Sequence, residues 1–131
     1  MGISRLSLFT EKTNDFGKDD RRIDEYYCLG FKILVGKNAI SNEALIKENA
    51  KLHPEFIWMH AAGSKGAHLI ICAKLVDIPD IVMRRAATLA LRNSLGKLKE
   101  VMWSELRDLY KPQSDLVGVW KTWKNANVIK L

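Results

Sequence analysis

The sequence of 131 residues has few cysteines, few prolines and no long apolar run. Its two cysteines, Cys28 and Cys72, lie far apart in apolar stretches, so we expect buried free thiols rather than a disulfide framework. Three prolines and eight glycines are too few for collagen or a low-complexity chain. The longest apolar run, Leu69 to Ala73, is far below the ~20 residues that span a bilayer. The first residues show no signal-peptide pattern, so we expect a cytoplasmic protein with no membrane contact.

The chain does have an excess of positive charge near its C-terminal end. Apolar residues make up 47 % and charged residues 27 % of the sequence, which is typical of one soluble globular domain. Residues 1–83 carry 11 basic and 11 acidic side chains, whereas residues 84–131 carry 10 and 4. The second part also holds Trp103, Trp120 and Trp123, which can stack bases or pack in a core. A basic excess beside aromatic residues indicates a polyanionic partner such as nucleic acid, although an ordinary solvated surface is compatible with the same charge.

The order of apolar patterns predicts an α+β domain, with a mainly antiparallel sheet and one long and one short helix packed on it. Residues 1–131 form the one domain, and residues 1–23 are its peripheral N-terminal strand and polar loop. Residues 26–35 are expected to form two short strands with a bend at Gly30, or one strand with a bulge there. Ser41 is expected to cap the short helix over residues 42–49. Pro79 begins the long helix, which ends near Ser94. Other strands are expected at residues 5–9, 56–60, 67–74 and 98–103, with a terminal hairpin that joins residues 116–123 to residues 128–130.

The loop that follows the predicted strand at residues 56–60 holds the densest group of candidate binding residues. Gly63 and Gly66 let backbone N–H groups approach an anion closely. Lys65 supplies positive charge between them, and His60 and His68 on either side can donate hydrogen bonds to phosphate or ribose. The same spacing also suits an ordinary hairpin turn.

Other chemistries fit this loop less well. The loop has neither the phosphate-binding order of a P-loop nor the glycine order of a dinucleotide fingerprint. Two histidines with Cys72 match no closed zinc pattern, so we expect neither a metal nor a cofactor. His60 and His68 can also serve as an acid–base pair, which leaves an enzyme as an alternative.

Three arginines of the predicted long helix fall opposite its apolar side, where they suit phosphate contacts or simply face water. They are Arg84, Arg85 and Arg92. Lys37 and Lys111 are secondary candidates for contact with an anion. We expect the loop and the arginine-bearing helix face to form a single cationic surface.

Two blocks of the sequence resemble the NFACT-R domain. Residues 30–45, Gly-Phe-Lys-Ile-Leu-Val-Gly-Lys-Asn-Ala-Ile-Ser-Asn-Glu-Ala-Leu, are similar to the family block G-F-x-I-L-V-G-R-N-A-x-x-N-D-x-L. Residues 56–68, Phe-Ile-Trp-Met-His-Ala-Ala-Gly-Ser-Lys-Gly-Ala-His, are similar to D-L-W-L-H-A-x-G-x-P-G-S-H. The resemblance extends over about residues 24–123. Lys65 replaces the family proline and Ala67 the family serine, so the loop is more basic than the family pattern.

The resemblance implies an RNA-binding module of the kind found in NFACT proteins, which act in ribosome-associated quality control and bind large ribosomal subunits and tRNA. The chain has no room for the other NFACT modules, so we expect a solo copy or an excised module. We therefore expect non-catalytic binding of structured RNA, either rRNA or tRNA, with the large ribosomal subunit as a further candidate partner. The alternatives are an RNA-modifying or RNA-processing enzyme and a protein-interaction adaptor that uses the terminal hairpin. The expected RNA contacts are Lys37, His60, Gly63, Lys65, Gly66, His68, Arg84, Arg85, Arg92 and Lys111.

Overall fold

Short strands rich in β-branched and aromatic residues form the framework of the molecule. The computed structural model describes residues 10–14, 23–63, 66–94, 99–111, 119–122 and 126–131. In chain order the elements are β1 (Thr10–Asn14), β2 (Ile23–Cys28), β3 (Phe31–Gly36), α1 (Ala39–Leu52), β4 (Phe56–Ala61), β5 (Leu69–Lys74), α2 (Asp80–Arg92), β6 (Glu100–Glu105), β7 (Leu109–Tyr110), β8 (Lys121–Thr122) and β9 (Asn127–Lys130).

Seven of these strands form one antiparallel sheet in the order β1-β2-β3-β5-β4-β6-β9. The predicted α+β class with a mainly antiparallel sheet is therefore confirmed. β5 lies at the centre of the sheet, as its apolar residues on both faces indicate. β7 and β8 pair with each other in a small second sheet.

The two helices cover opposite faces of the large sheet. Side chains alternate between the faces along each strand, so neighbouring residues of β4 enter different cores. Ile57 and Met59 pack with α2, whereas Trp58 packs with α1. The sheet thus separates two apolar cores, and a site on one face is distant from the helix on the other.

The first helix is longer than its sequence pattern predicted. α1 has 14 residues and α2 has 13. Asn38, not Ser41, is the N-cap residue: its side chain accepts a hydrogen bond from the Ser41 N–H, and the Ser41 hydroxyl accepts one from the Asn38 N–H. This capping box moves the start of the helix three residues earlier than a cap at Ser41 would place it.

Both ends of the chain depart from the predicted pattern. Residues 10–14, expected in a loop, form β1 and pair with β2 at the edge of the sheet, while the strand predicted at residues 5–9 lies outside the described residues. The predicted terminal hairpin is wrong, because β8 pairs with β7 and β9 pairs with β6. The apolar side chains explain the separation, since Trp120 packs in the α1 core and Ile129 in the α2 core.

Both cysteines are free, as expected, although only one of them is fully buried. Cys28 and Cys72 are free thiols, the first buried and the second half-buried. Burial raises the pKa of the Cys72 thiol to about 11, which keeps it protonated at neutral pH. Among the residues described, no helix combines the length and apolar character needed to cross a membrane.

Candidate nucleic-acid interface

The loop between β4 and β5 lies against the first turn of α1. The Asn42 Oδ1 atom accepts a hydrogen bond of 3.1 Å from the His68 N–H. The Asn42 Nδ2 group donates to the Gly66 carbonyl at 3.5 Å. The Gly36 N–H donates to the His68 carbonyl at 3.0 Å. These contacts bring together the two sequence blocks, residues 30–45 and 56–68, in one structural unit that we call the loop–helix junction.

Two glycines of the loop–helix junction are required by close packing. A Cβ atom on Gly36 would collide with the Asn42 side chain. A Cβ atom on Gly66 would lie 2.8 Å from the Ser94 Cβ, just beyond the end of α2. Gly63 differs, because it is exposed and has a φ of 66°, a conformation that favours glycine. Of the two glycines expected at an anion, the structure thus gives Gly66 a packing role and leaves Gly63 at the surface.

His68 is built into the protein interior. Its ring accepts a hydrogen bond of 2.8 Å at Nδ1 from the Trp58 indole N–H, and the residue is only 5 % exposed. His68 was expected to donate a hydrogen bond to phosphate or ribose, whereas the structure buries its ring. The donor to His68 Nδ1 lies on the neighbouring strand β4. Residue spacing along the sequence does not predict this contact.

His60 lies beside His68 on the α1 face of the sheet and is half-buried. Its ring centroid is 4.6 Å from that of His68, and its plane is within 3° of the Trp58 plane at a centroid distance of 6.0 Å. Burial lowers the pKa of His60, and hydrogen bonds to the backbone of Gly66 and Ala61 partly oppose this shift. The neutral ring is therefore favoured, so His60 can donate a hydrogen bond but adds little positive charge.

Lys37 connects three elements within the protein. Its Nζ donates to Asn93 Oδ1 at 2.7 Å, just after α2, and lies 3.5 Å from Asp24 Oδ2 on β2. Asp24 is buried, so loss of the lysine would leave its carboxylate without this charge partner. A structural role thus accounts for a lysine that was expected to contact RNA.

Two of the three arginines of α2, Arg84 and Arg85, do not share a surface with the loop. α2 covers the sheet face opposite His60 and His68. Arg84 Nε is 3.3 Å from Asp80 Oδ2. The half-buried Arg85 interacts with the Cys28 thiol. Burial raises the pKa of this thiol, and the nearby Arg85 partly opposes that rise. Only Arg92, in the last turn, lies near the loop. The expected single cationic surface is therefore wrong for Arg84 and Arg85.

Lys111 is also held within the protein. Its Nζ is 2.7 Å from Glu43 Oε1 on α1 and 5.5 Å from the centroid of the Trp120 ring. The tryptophans serve the cores, since Trp120 and Trp103 are half-buried against the α1 and α2 cores. Lys65 and Trp123 lie outside the described residues.

Asn42 is the functional candidate that sequence reasoning missed. The sequence suggested only a residue near the start of a helix, yet its amide joins α1 to the loop. Asn42 lies in residues 30–45, the first block that resembles the NFACT-R domain, and this position is the feature of the sequence that could have identified it. In the part of the chain that the structure describes, no group of three or more His, Cys, Asp or Glu residues is placed to hold a metal ion.

Comparison with known proteins finds similarity among solved structures. No family model matches the chain, and no curated protein matches it. The chain is similar to the solved C-terminal part of a fibronectin/fibrinogen-binding protein from Streptococcus suis, with 28 % sequence identity and a TM-score of 0.75. The similarity covers 90 % of this chain and 47 % of that chain, so this chain spans about half of the solved structure.

Proposed function

We propose that this chain is an NFACT-R-like domain that binds structured RNA, either rRNA or tRNA, without catalysing a reaction on it. The observation that carries the proposal is the loop–helix junction. The two sequence blocks that resemble the NFACT-R domain are separated along the chain, and Asn42 joins them through hydrogen bonds to His68 and Gly66. The residues that carry the resemblance therefore act as one unit.

The surface of this unit suits contact with the RNA backbone. Gly63 is exposed beside the half-buried His60, so the main chain at this turn is open to contact with a phosphate. The net charge of +6 attracts a polyanion over a longer range. RNAs of the translation machinery lie in the cytoplasm, where the proposal places the chain, with the large ribosomal subunit as a candidate partner.

The proposal predicts salt-sensitive binding to labelled tRNA and to a labelled rRNA fragment. Each phosphate that the protein neutralises releases counterions, so the logarithm of the affinity should fall linearly with the logarithm of the salt concentration. Fluorescence anisotropy at several salt concentrations measures this slope. Absence of binding, or an affinity that does not change with salt, would contradict the proposal.

A second candidate is protein binding, which the name of the streptococcal protein favours, since that protein binds fibronectin and fibrinogen. Pull-down of ribosomes before and after RNase treatment separates the two functions. RNA binding predicts that capture is lost after RNase treatment, whereas a protein adaptor keeps its partner. Replacement of His60 by Gln tests the remaining enzyme alternative: a binding domain shows no turnover with RNA before or after the change.

A further inference from the structure

Four exposed apolar side chains lie at the end of the sheet that is distant from the loop–helix junction. They are Leu29, Leu75, Val76 and Ile81, and we call them the apolar end patch. β5 leads away from the β4–β5 loop, and Leu75 and Val76 directly follow its last residue. Because β3 runs antiparallel to β5, the β2–β3 turn that holds Leu29 lies at the same end. Ile81 lies one helical turn before Arg85, whose side chain interacts with Cys28, the neighbour of Leu29. The start of α2 therefore lies beside this turn.

Leu29 is held in a backbone conformation that leucine rarely adopts. Its φ is 50° and that of Gly30 is 86°, the pattern of a tight hairpin turn in which Asn-Gly is preferred. Within the described residues, no other non-glycine residue has a positive φ. The side chain is 62 % exposed, so packing in the cores does not offset the cost of this conformation. Exposed apolar surface combined with local backbone strain indicates a contact outside the folded chain.

The charged residues beside the patch balance each other, unlike those of the whole molecule. Residues 74–84 hold two basic and two acidic side chains, all exposed, namely Lys74, Asp77, Asp80 and Arg84. The net charge of this segment is therefore zero, against +6 for the chain. A polyanion gains little attraction from such a surface, whereas a surface with both signs can face another copy of itself without repulsion. The charges thus favour a second copy of this chain over RNA as the partner.

We propose that two copies of this chain form a symmetric dimer through the apolar end patch. In a two-fold interface the same residues of both copies meet, so the patch of one copy covers the patch of the other. The mixed charges at its rim can pair across the two-fold axis. Four apolar side chains make a small interface, so the dimer is reversible. The loop–helix junction lies at the other end of the sheet and stays exposed in both copies, so the inference is independent of RNA binding.

Sedimentation equilibrium of the purified chain at about 1–500 µM tests the dimer. We expect a reversible monomer–dimer equilibrium with a Kd in the micromolar range. Because the contact is apolar and its rim is neutral, the dimer should not weaken when NaCl is raised from about 0.05 M to about 0.5 M. RNA binding has the opposite salt dependence, which keeps the two associations distinguishable.

The variant Leu29→Asn should change stability and association in opposite directions. Asparagine tolerates the left-handed conformation better than leucine, so the urea midpoint of unfolding should rise. Loss of one apolar side chain from each copy should weaken the dimer at least about tenfold. Val76→Asn, at a position that is 87 % exposed, should weaken the dimer in the same way without unfolding the chain.

The matched control is Ile40→Asn. Ile40 is 45 % exposed in the first turn of α1, beside the loop–helix junction and distant from the apolar end patch. This variant should keep the dimer Kd within about threefold of the wild-type value. Circular dichroism checks that each variant is folded.

Several results would overturn the proposed dimer. A chain that is monomeric over the whole concentration range, or that forms open-ended oligomers, is one of them. A dimer that persists unchanged in Leu29→Asn, or that is weakened equally by Ile40→Asn, shows that the patch is not the contact. Weaker binding of labelled tRNA to Leu29→Asn, measured by fluorescence anisotropy, would make the patch an RNA contact instead. Failure of the wild type to bind tRNA would remove the proposed function and leave the dimer intact.

Discussion

At the scale of single residues, the chemical types in the loop were predictable, but their partners were not. The period of two along a strand places Trp58 and His60 on one face, and the structure shows their rings stacked. The hydrogen bond from Trp58 to His68 depends on the pairing of β4 with β5, which residue spacing alone does not define. The two histidines have side chains suited to phosphate contact or proton transfer, but in the structure they make contacts that stabilise the loop.

The half-buried His60 predicts a specific pH dependence of stability. Its pKa is lower in the folded protein than the ordinary value of 6.5, mainly because burial disfavours the charged ring. The unfolded state therefore binds more protons below about pH 6.5, and the free energy of unfolding should fall as the pH falls through this range. Urea unfolding of the wild type at pH 7.5 and pH 5.5 measures the loss.

The variant His60→Gln is the control for this prediction. Glutamine keeps a hydrogen-bond donor but does not titrate, so its loss of stability between the two pH values should be smaller than that of the wild type. An identical pH dependence in the wild type and His60→Gln would show that His60 does not cause it.

At the scale of elements, most helices and strands were predictable because each carries its own apolar period. The boundaries of these elements were less predictable where two neighbouring residues can both act as the N-cap. Asn38 and Ser41 are both good N-cap residues, and the sequence alone does not choose between them. The structure uses both, with Asn38 as the cap and Ser41 as its reciprocal partner. The predicted terminal hairpin was wrong because the two strands pack their apolar residues into different cores. Closeness in sequence therefore did not determine which strands pair.

The cap of α1 gives a prediction at this scale. Asn38→Ala removes the acceptor of the Ser41 N–H and should lower the free energy of unfolding by about 1 kcal/mol. Glu48→Ala is the matched control, since Glu48 is exposed in the middle of the same helix and should change the stability by less than about 0.5 kcal/mol. Urea denaturation measures both. Equal effects of the two substitutions would show that the capping box adds nothing to the stability of α1.

At the scale of the whole molecule, the sheet decides which candidate residues can act together. The arginines of α2 were predicted correctly to lie opposite the apolar side of their helix, apart from the half-buried Arg85. Whether that helix lies on the same face of the sheet as the loop is a property of the topology, and the sequence pattern does not contain it.

Two cores on opposite faces of one sheet predict a pattern of energetic coupling. Ile46 is buried in the α1 core, whereas Ile57 and Ile71 are buried in the α2 core and face each other in the β4–β5 pairing. Each change from Ile to Val should cost about 0.5–1.5 kcal/mol. The double variant I46V/I57V should lose the sum of its single losses to within about 0.5 kcal/mol, because the sheet separates the two sites. I57V/I71V should deviate further from additivity, because the two side chains share one set of neighbours. Urea denaturation of the singles and doubles gives both coupling energies, and a larger coupling for I46V/I57V than for I57V/I71V would contradict the separation of the cores.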